Sequence, residues 1–305
     1  MATENVPQSG GLKGNLKCVA ICFCMALANC QYGYDTASIS SFQAMKGFLQ
    51  VFGYEDPSLT THGGWGIDTK TQQLITSFLN FGTMFGVIFT GPFARYFGRR
   101  SGILAATVIA YAGVSIQLGT TSAAGICVGR ALVGASNAFF FTFSNAYVAE
   151  SSPAHLRSIT SGIFGVMPGV GSLLGTITTY LTKGLESKLC YQIPLACLYF
   201  FPTILAMVAC VVPESPRWLL VQKRRAEAEK ALYALRGGSA SFDLIQEEFI
   251  LMARGIEEEE ALATSSARFV DIFRGANLLR TVICVAAITS RAASGLWVFL
   301  SYGVS

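Results

Sequence analysis

Two ionisable residues, Asp35 and Arg130, lie inside otherwise apolar stretches of the chain. A charged side chain near the middle of a bilayer costs roughly 3 kcal/mol on insertion scales, so such residues usually face the inside of a helix bundle and pair. A carboxylate beside a cation can change between its ionised and protonated forms as its access to water changes, which can couple proton movement to transport. Two alternatives stay open: a static interior pair, or structural anchors at the outer membrane interface.

Composition defines the surroundings of these charges. The 305 residues are 52% hydrophobic and only 13% charged, with a mean hydropathy of +0.48. Soluble domains carry about 25% charged residues, so this composition predicts an integral membrane protein in contact with the lipid bilayer. The net charge of +4 is spread between apolar runs rather than gathered in one patch, which argues against a nucleic-acid partner.

The sequence shows no pattern typical of an enzyme, a cofactor site or a metal site. Nine cysteines are present without C-x-x-C spacing, and the only two histidines, His62 and His155, lie in predicted loops. No Ser/His/Asp arrangement accompanies them. The sequence therefore predicts neither catalysis nor a bound cofactor or metal.

Six apolar runs are expected to position the charged pair. Each is close to the ~20 residues that a helix needs to cross a bilayer. The predicted spans are residues 16–41, 71–93, 102–120, 124–148, 158–182 and 191–212. We therefore predict an all-α membrane protein in which residues 16–212 form a six-helix transmembrane bundle. Residues 1–15 are predicted to be a disordered cytoplasmic N-terminus, and residues 46–70 a soluble loop.

The bundle is predicted to end at Pro213, because Pro213 and Pro216 cannot both lie inside one helix. Trp218 is expected at the water–lipid boundary, where an amphipathic ring is favoured. Residues 213–276 are predicted to form a cytoplasmic helical linker, and residues 277–305 a seventh transmembrane helix with which the chain ends.

Within the linker, apolar residues recur at helical spacing in three segments, 225–236, 242–254 and 267–274. The acidic run 257–260 is expected to be a solvated segment that separates the last two.

The distribution of basic residues predicts the orientation of the bundle. The side that includes the N-terminus carries sixteen Lys and Arg residues, whereas the opposite side carries four. Cytoplasmic loops are enriched in these residues, so the N-terminus is expected in the cytoplasm.

Six charged residues lie at the predicted cytoplasmic ends of the spans: Arg99, Arg100, Glu150, Arg157, Glu214 and Arg217. They are expected to form an ion-pair network that holds the helix ends together in the outward-facing state and breaks when the bundle rocks. Ordinary positive-inside anchoring is the alternative.

The fifth span is rich in glycine, and small residues in membrane helices allow close helix contact. We expect this contact at Gly162, Gly165, Gly169, Gly171 and Gly175.

Several motifs together resemble the sugar porter family of the major facilitator superfamily, most of all its fungal members. The motifs are Gly33-Tyr34-Asp35, Gly91…Gly98-Arg99-Arg100, Gly129-Arg130 with Tyr147, Glu150, Pro153 and Arg157, Ile193-Pro194, and Pro213-Glu214-Ser215-Pro216-Arg217-Trp218-Leu219. The resemblance implies the N-terminal six-helix half of a major facilitator fold, then the linker and a seventh helix. It also implies transport of a sugar or related polar solute by alternating access in the plasma membrane.

The same resemblance implies that Asp35 and Arg130 form the proton-linked pair. Candidate residues for the substrate pathway are Gln31, Tyr34, Asn80, Asn137 and Trp297.

The chain departs from the family pattern at several positions. Arg95-Tyr96 replaces the acid and base of the helix 2–3 motif, so part of the conformational lock is expected to be missing or rebuilt. Gly165 replaces a sugar-binding Gln, and in the seventh helix Arg291-Ala292 and Trp297 replace amide residues, while Ser294-Gly295 and Tyr302 fit the pattern. Loss of these amides argues against a typical hexose as the substrate.

The chain also ends one helix into the second half, which suggests a truncated transporter. A missing second half or a second copy of the chain would then cover its inner face. A non-transporting relic, or a membrane sensor or regulator of the same family, is the alternative function.

Overall fold

A computed structural model describes residues 16–55, 64–153, 156–185, 187–236, 242–264, 273 and 275–293. Helices make up nearly all of this described part. In chain order its elements are α1 (Leu16–Phe42), α2 (Lys46–Phe52), β1 (Tyr54–Glu55), β2 (Trp65–Gly66), α3 (Thr69–Gly119), α4 (Ala123–Ser151), α5 (Arg157–Thr182), α6 (Leu189–Cys197), α7 (Phe200–Val211), α8 (Pro216–Val221), α9 (Arg225–Arg236), α10 (Phe242–Thr264) and α11 (Gly275–Ala293).

The 51-residue α3 supplies two of the predicted spans. Gly98 alone leaves the helical conformation, with φ 83° and ψ −176°, values that essentially only glycine adopts. Residues 69–97 (arm A) and 99–119 (arm B) both pack on α4: a Cβ on Gly82 would overlap the backbone of Ala131, and one on Gly113 would crowd Val133. Because Gly82 and Gly113, at nearly equal distances along the chain from Gly98, reach neighbouring positions on α4, α3 doubles back as a helical hairpin. The turn is therefore narrower than the gap between the predicted spans 71–93 and 102–120.

Five helical stretches of the described chain are long and apolar enough to cross a membrane, and one of them is the whole of α3. Since 51 residues are about twice the ~20 that one crossing needs, α3 counts as two spans. The all-α membrane architecture expected from the sequence is confirmed.

The sixth span is broken in the middle. Residues Leu189–Val211 are continuous in hydropathy, but α6 and α7 are separated at Leu198 and Tyr199. The backbone amides there bond three residues back, to Leu195 and Ala196. Pro202 has no backbone N–H, so the carbonyl of Leu198 lacks its usual helical donor. The helical pitch changes at this point for that reason.

Close contact in the fifth span involves only part of the glycine set. A Cβ on Gly171 would overlap the carbonyl oxygen of Cys30 in α1, and one on Gly175 would lie 2.7 Å from that of Tyr34. At Gly162, Gly165 and Gly169 a Cβ would meet nothing within 4 Å. The prediction of close helix contact is therefore right for Gly171 and Gly175. It is wrong for the other three glycines.

The segment expected to be a soluble loop after α1 contains regular secondary structure. Helix α2 and the antiparallel β1–β2 ribbon occupy its described residues. Phe48 of α2 packs against Phe42 and Tyr191, with ring centroids 5.4 and 5.5 Å apart. Aromatic burial therefore ties this segment to the ends of α1 and α6; we call this end of the bundle the ribbon end, and the opposite end the Gly98 end.

The segment after α7 begins with a capped helix. Ser215 accepts a hydrogen bond from the backbone amide of Trp218, and Pro216 occupies the first helical turn. Trp218 is only 8% exposed, so its expected place at the lipid boundary is wrong: its ring packs inside the protein. Helix α9 buries the apolar face of the predicted helix 225–236.

The chain divides into two compact units after Ile245. The first contains the bundle, α8 and α9. The second contains most of α10 and all of α11. The acidic run 257–260 is exposed, as expected, but it lies inside α10 instead of ending it, because glutamate is a good helix former. Most of the helix predicted at 267–274 lies outside the described residues.

Candidate functional site

The Asp35–Arg130 pair is the most deeply buried charged contact in the described part of the chain. Asp35 lies on α1 and Arg130 on α4, and the guanidinium Nη1 donates to Oδ1 of the carboxylate at 2.6 Å. The two side chains are 0% and 1% exposed. The fold therefore brings together the two residues singled out as a charged pair in the sequence.

The pair is only partly satisfied by hydrogen bonds. Oδ2 of Asp35 and Nε of Arg130 are buried without a partner among the described residues. A buried ion pair repays its desolvation cost only when further hydrogen bonds complete it. In the described structure the pair therefore joins α1 to α4 through a single hydrogen bond and leaves one buried polar atom on each partner unsatisfied.

Gln31 and Asn137 form a second polar contact between the same two helices. Nε2 of Gln31 donates to Oδ1 of Asn137 at 3.2 Å, and the residues are 1% and 5% exposed. Oε1 of Gln31 and Nδ2 of Asn137 have no partner in the described structure. Both residues were candidates for the substrate pathway, and the structure buries both of them between α1 and α4.

The other pathway candidates differ in accessibility. Tyr34 is buried, and its hydroxyl donates to the carbonyl of Pro194 at 3.1 Å. Asn80 is exposed on arm A. Trp297 lies outside the described residues.

Four of the six charged residues predicted to form a network at one end of the bundle interact at the Gly98 end. The guanidinium of Arg99 donates to Oε1 of Glu150 through Nη2 at 2.7 Å and through Nε at 3.2 Å. The hydroxyl of Ser215 donates to the other oxygen of Glu150. Arm B, α4 and the start of α8 are thus joined through one carboxylate.

Glu214 completes this network through the backbone. Its Oε1 accepts the amides of Arg99 at 2.9 Å and Arg100 at 3.1 Å. These amides open arm B, where a helix has no internal acceptors and carries a partial positive charge. A carboxylate is therefore well placed there, and its role is to cap a helix rather than to pair with a side chain.

The side chains of Arg100, Arg217 and Arg157 have different surroundings. Arg100 donates from Nη2 to the carbonyl of Cys210 at 3.0 Å, which ties arm B to the end of α7. Arg217 lines a cavity of about 200 Å³ beside Arg99 and Glu150. Arg157 is exposed at the first residue of α5.

Sequence reasoning missed several contacts at this end. Nε1 of Trp218 donates to the carbonyl of Ala94 at 3.0 Å, and Nε2 of Gln222 donates to that of Arg95 at 2.7 Å. The hydroxyl of Tyr147 donates to the carbonyl of Pro213 at 3.0 Å. At this end only the N-cap role of Ser215 could have been detected in the sequence, because serine directly before proline is typical of a helix N-cap.

Comparison with known proteins identifies the family of this chain. The model of the family described as sugar (and other) transporters matches residues 21–305. The chain belongs to the sugar (and other) transporter family. This result confirms the family expected from the motifs.

Curated relatives support the same conclusion. The hexose transporter HXT8 of Saccharomyces cerevisiae is 29% identical over 249 residues, which cover 81% of this chain and 43% of the relative. The major facilitator-type transporter ecdD of Aspergillus rugulosus is 27% identical over 282 residues, covering 92% of this chain and 51% of the relative. These relatives are transporters rather than enzymes. The chain spans about half the length of the curated relatives it matches.

Solved structures share the fold. The proton:xylose symporter XylE, bound to 6-bromo-6-deoxy-D-glucose, matches with a TM-score of 0.69 at 21% identity, covering 87% of this chain and 58% of that structure. The partially occluded inward-open form of XylE from E. coli matches with a TM-score of 0.65 at 19% identity, covering 80% and 60%. The likeness shows a major facilitator fold for this member of the sugar (and other) transporter family.

Proposed function

We propose that this chain takes part in proton-coupled movement of a sugar or related polar solute across a membrane by alternating access. The observation that carries the proposal is the buried, half-satisfied Asp35–Arg130 pair between α1 and α4. A carboxylate with one unpartnered oxygen can take up a proton and release its cation. The proton then changes how α1 and α4 hold together, which is the coupling that such transport requires.

In this proposal the network at the Gly98 end is the cytoplasmic gate. Arg99, Glu150 and Glu214 join arm B to α4 and to the start of α8. Contacts of this kind are made in one state of a rocking bundle and lost in the other. The network therefore stabilises the state in which the Gly98 end is closed, with Arg100, Arg157 and Arg217 around it.

The orientation and assembly follow from the same proposal. Residues 16–212 form the six-helix bundle, with residues 213–276 as a cytoplasmic linker and residues 277–305 as the seventh span. The N-terminus and the Gly98 end face the cytoplasm, and the plasma membrane is the site of action. The solute binds between this half and a second half or a second copy, and the exposed Asn80 is a candidate contact.

Uptake by the reconstituted full chain tests the proposal. Proteoliposomes are loaded with a proton gradient and offered labelled D-xylose, D-glucose or sorbitol. We expect accumulation of at least one solute, and we expect Asp35→Asn to abolish gradient-driven accumulation while solute exchange persists. Asp68→Asn is the matched control, because Asp68 is exposed at the start of α3 and makes no capping hydrogen bond.

Two results would contradict the proposal at different points. Unchanged accumulation by Asp35→Asn would remove the coupling role but leave transport intact. Failure of every solute to exceed the protein-free control would remove transport itself.

A non-transporting sensor or regulator is the second candidate, and Gly165 is the observation that favours it. The family places a sugar-binding amide at this position, whereas this chain leaves open space there. Solute-dependent quenching of tryptophan fluorescence without uptake would support the sensor. Uptake would rule it out.

A further inference from the structure

The carbonyl groups at the end of arm A are bound by side chains of α8 and of the residue that follows it. The last turn of a helix leaves carbonyl groups without helical partners, and Gly98 ends this helix by leaving the helical conformation. Trp218 donates to the carbonyl of Ala94, and Gln222 donates to the carbonyl of Arg95. The two donors lie one helical turn apart, so a single face of α8 holds arm A.

The same short stretch also holds arm B. Glu214, two residues before α8, accepts the amides of Arg99 and Arg100. Both helix ends at the Gly98 turn are therefore capped from residues 214–222, with donors facing the carbonyl end and a carboxylate facing the amide end. The Trp218 ring also lies over the turn, because a Cβ on Gly98 would be 3.3 Å from its Cζ3.

Trp218 is linked to the Arg99–Glu150 pair through one shared acceptor. The carbonyl of Ala94 accepts from Nε1 of Trp218 at 3.0 Å and from Nη1 of Arg99 at 3.2 Å. Arg99 uses its other nitrogens for Glu150. Movement of arm A away from α8 would therefore displace the carbonyl that orients the Arg99 guanidinium.

The side chains at 95 and 96 cannot form the acid–base pair of the family motif. Arg95 and Tyr96 stand where the family motif has an acid and a base, and both are exposed, Tyr96 at 71%. The contact at this turn is made instead by the backbone of Ala94 and Arg95. The conformational lock that was expected to be missing or rebuilt is therefore rebuilt on backbone carbonyl groups.

We infer that Trp218 and Gln222 are positioning residues of the gate: they close the Gly98 end by holding the last carbonyls of arm A, in place of the charged pair that this chain lacks at 95 and 96. The inference rests on the proposed function for its role in transport. The contact itself can be tested without transport.

The experiment compares four variants of the full chain in lipid nanodiscs by hydrogen exchange. Trp218→Phe keeps the ring but removes the donor, and Gln222→Leu removes the second donor. Gln222→Lys restores a donor that suits a helix C-terminus, so it is the rescue variant. The double variant combines Trp218→Phe with Gln222→Leu. Trp65→Phe and Gln73→Leu make the same replacements near the ribbon end and serve as controls.

We expect amide exchange in peptides covering residues 94–101 to become about fivefold faster for each lost donor, the factor that corresponds to one neutral hydrogen bond. Exchange should return to the wild-type rate in Gln222→Lys and stay unchanged in the controls. Exchange equal to the controls in both donor variants would overturn the inference. Failure of Gln222→Lys to restore the rate would overturn it as well, because a donor would then be irrelevant.

Transport measurements separate positioning of the gate from general packing. A weaker lock shifts the resting carrier towards the state open at the Gly98 end, so KM for solute from the ribbon side should rise about fivefold while equilibrium exchange keeps its maximal rate. An unchanged KM in a chain that transports would overturn the gating role. If no solute is transported by the wild type, the proposed function fails, and the exchange rates still decide whether these two donors hold the turn.

Discussion

The Asp35–Arg130 and Arg99–Glu150 pairs use the same side-chain chemistry at nearly the same distance, 2.6 and 2.7 Å. Their surroundings differ. The first pair is 0% and 1% exposed and leaves an atom of each partner without a hydrogen bond. The second is 18% and 14% exposed, and both oxygens of Glu150 are bound.

This difference shows how one fold can use ion pairs for two purposes. In the buried pair, each charge depends on the other, so a change in protonation is felt strongly. At the Gly98 end, the charged side chains also form hydrogen bonds with backbone carbonyls and amides of two helix termini. In the proposed function the first pair responds to protons, and the second network holds the Gly98 end closed.

The largest expected effect is on the buried pair. Replacing Arg130 by Met leaves the buried Asp35 carboxyl without its partner, which should lower the free energy of unfolding by about 3–5 kcal/mol. Adding Asp35→Leu should recover most of this loss, because an apolar replacement of a buried ion pair is often neutral. Denaturant unfolding in mixed micelles measures both. A double variant no more stable than Arg130→Met would show that the pair contributes packing rather than electrostatics.

The next effect concerns the turn on which the network depends. Gly98→Ala should cost about 1–3 kcal/mol, since its backbone conformation is open only to glycine. The new Cβ would also lie 2.6 Å from Oε2 of Glu214. The control is Gly162→Ala, which has open space in α5 and should be neutral or stabilising by about 0.5–1 kcal/mol. Equal stability of the two variants would contradict the described turn.

The smallest effect separates a helix cap from a surface ion pair. Glu214→Ala removes the acceptor of the Arg99 and Arg100 amides and should cost about 1–2 kcal/mol. Glu227→Ala removes a pair with Arg224 whose side chains are 50% and 54% exposed, and it should change stability by less than about 0.5 kcal/mol. Both can be measured by thermal unfolding. If high salt reduces the stability loss of Glu214→Ala as much as that of Glu227→Ala, the Glu214 carboxylate does not act as a helix cap.

Sequence reasoning succeeded where the signal is local. The length of each apolar run predicted the spans, because crossing a bilayer requires about 20 residues of helix. A lone charge within such a run marked Asp35 and Arg130, because an unpaired charge in lipid is strongly disfavoured.

Sequence reasoning failed where the interaction partner of a residue is distant in the chain or is a backbone atom. The glycines of α5 look alike in sequence, yet only the neighbours of α1 decide that Gly171 is crowded and Gly165 is not. Trp218 resembles an interfacial tryptophan until the carbonyl of Ala94 is placed beside it.

The sequence by itself determined the family, the apolar spans and the two charges that must pair, because these depend on composition along the chain. Only the tertiary structure decided that Glu214 caps an amide 115 residues away, and that α8 binds the end of arm A. Every residue carries the same backbone carbonyl and amide, so no residue type marks which of them remain unpaired at a helix end. Their partners are therefore set by how the helices pack.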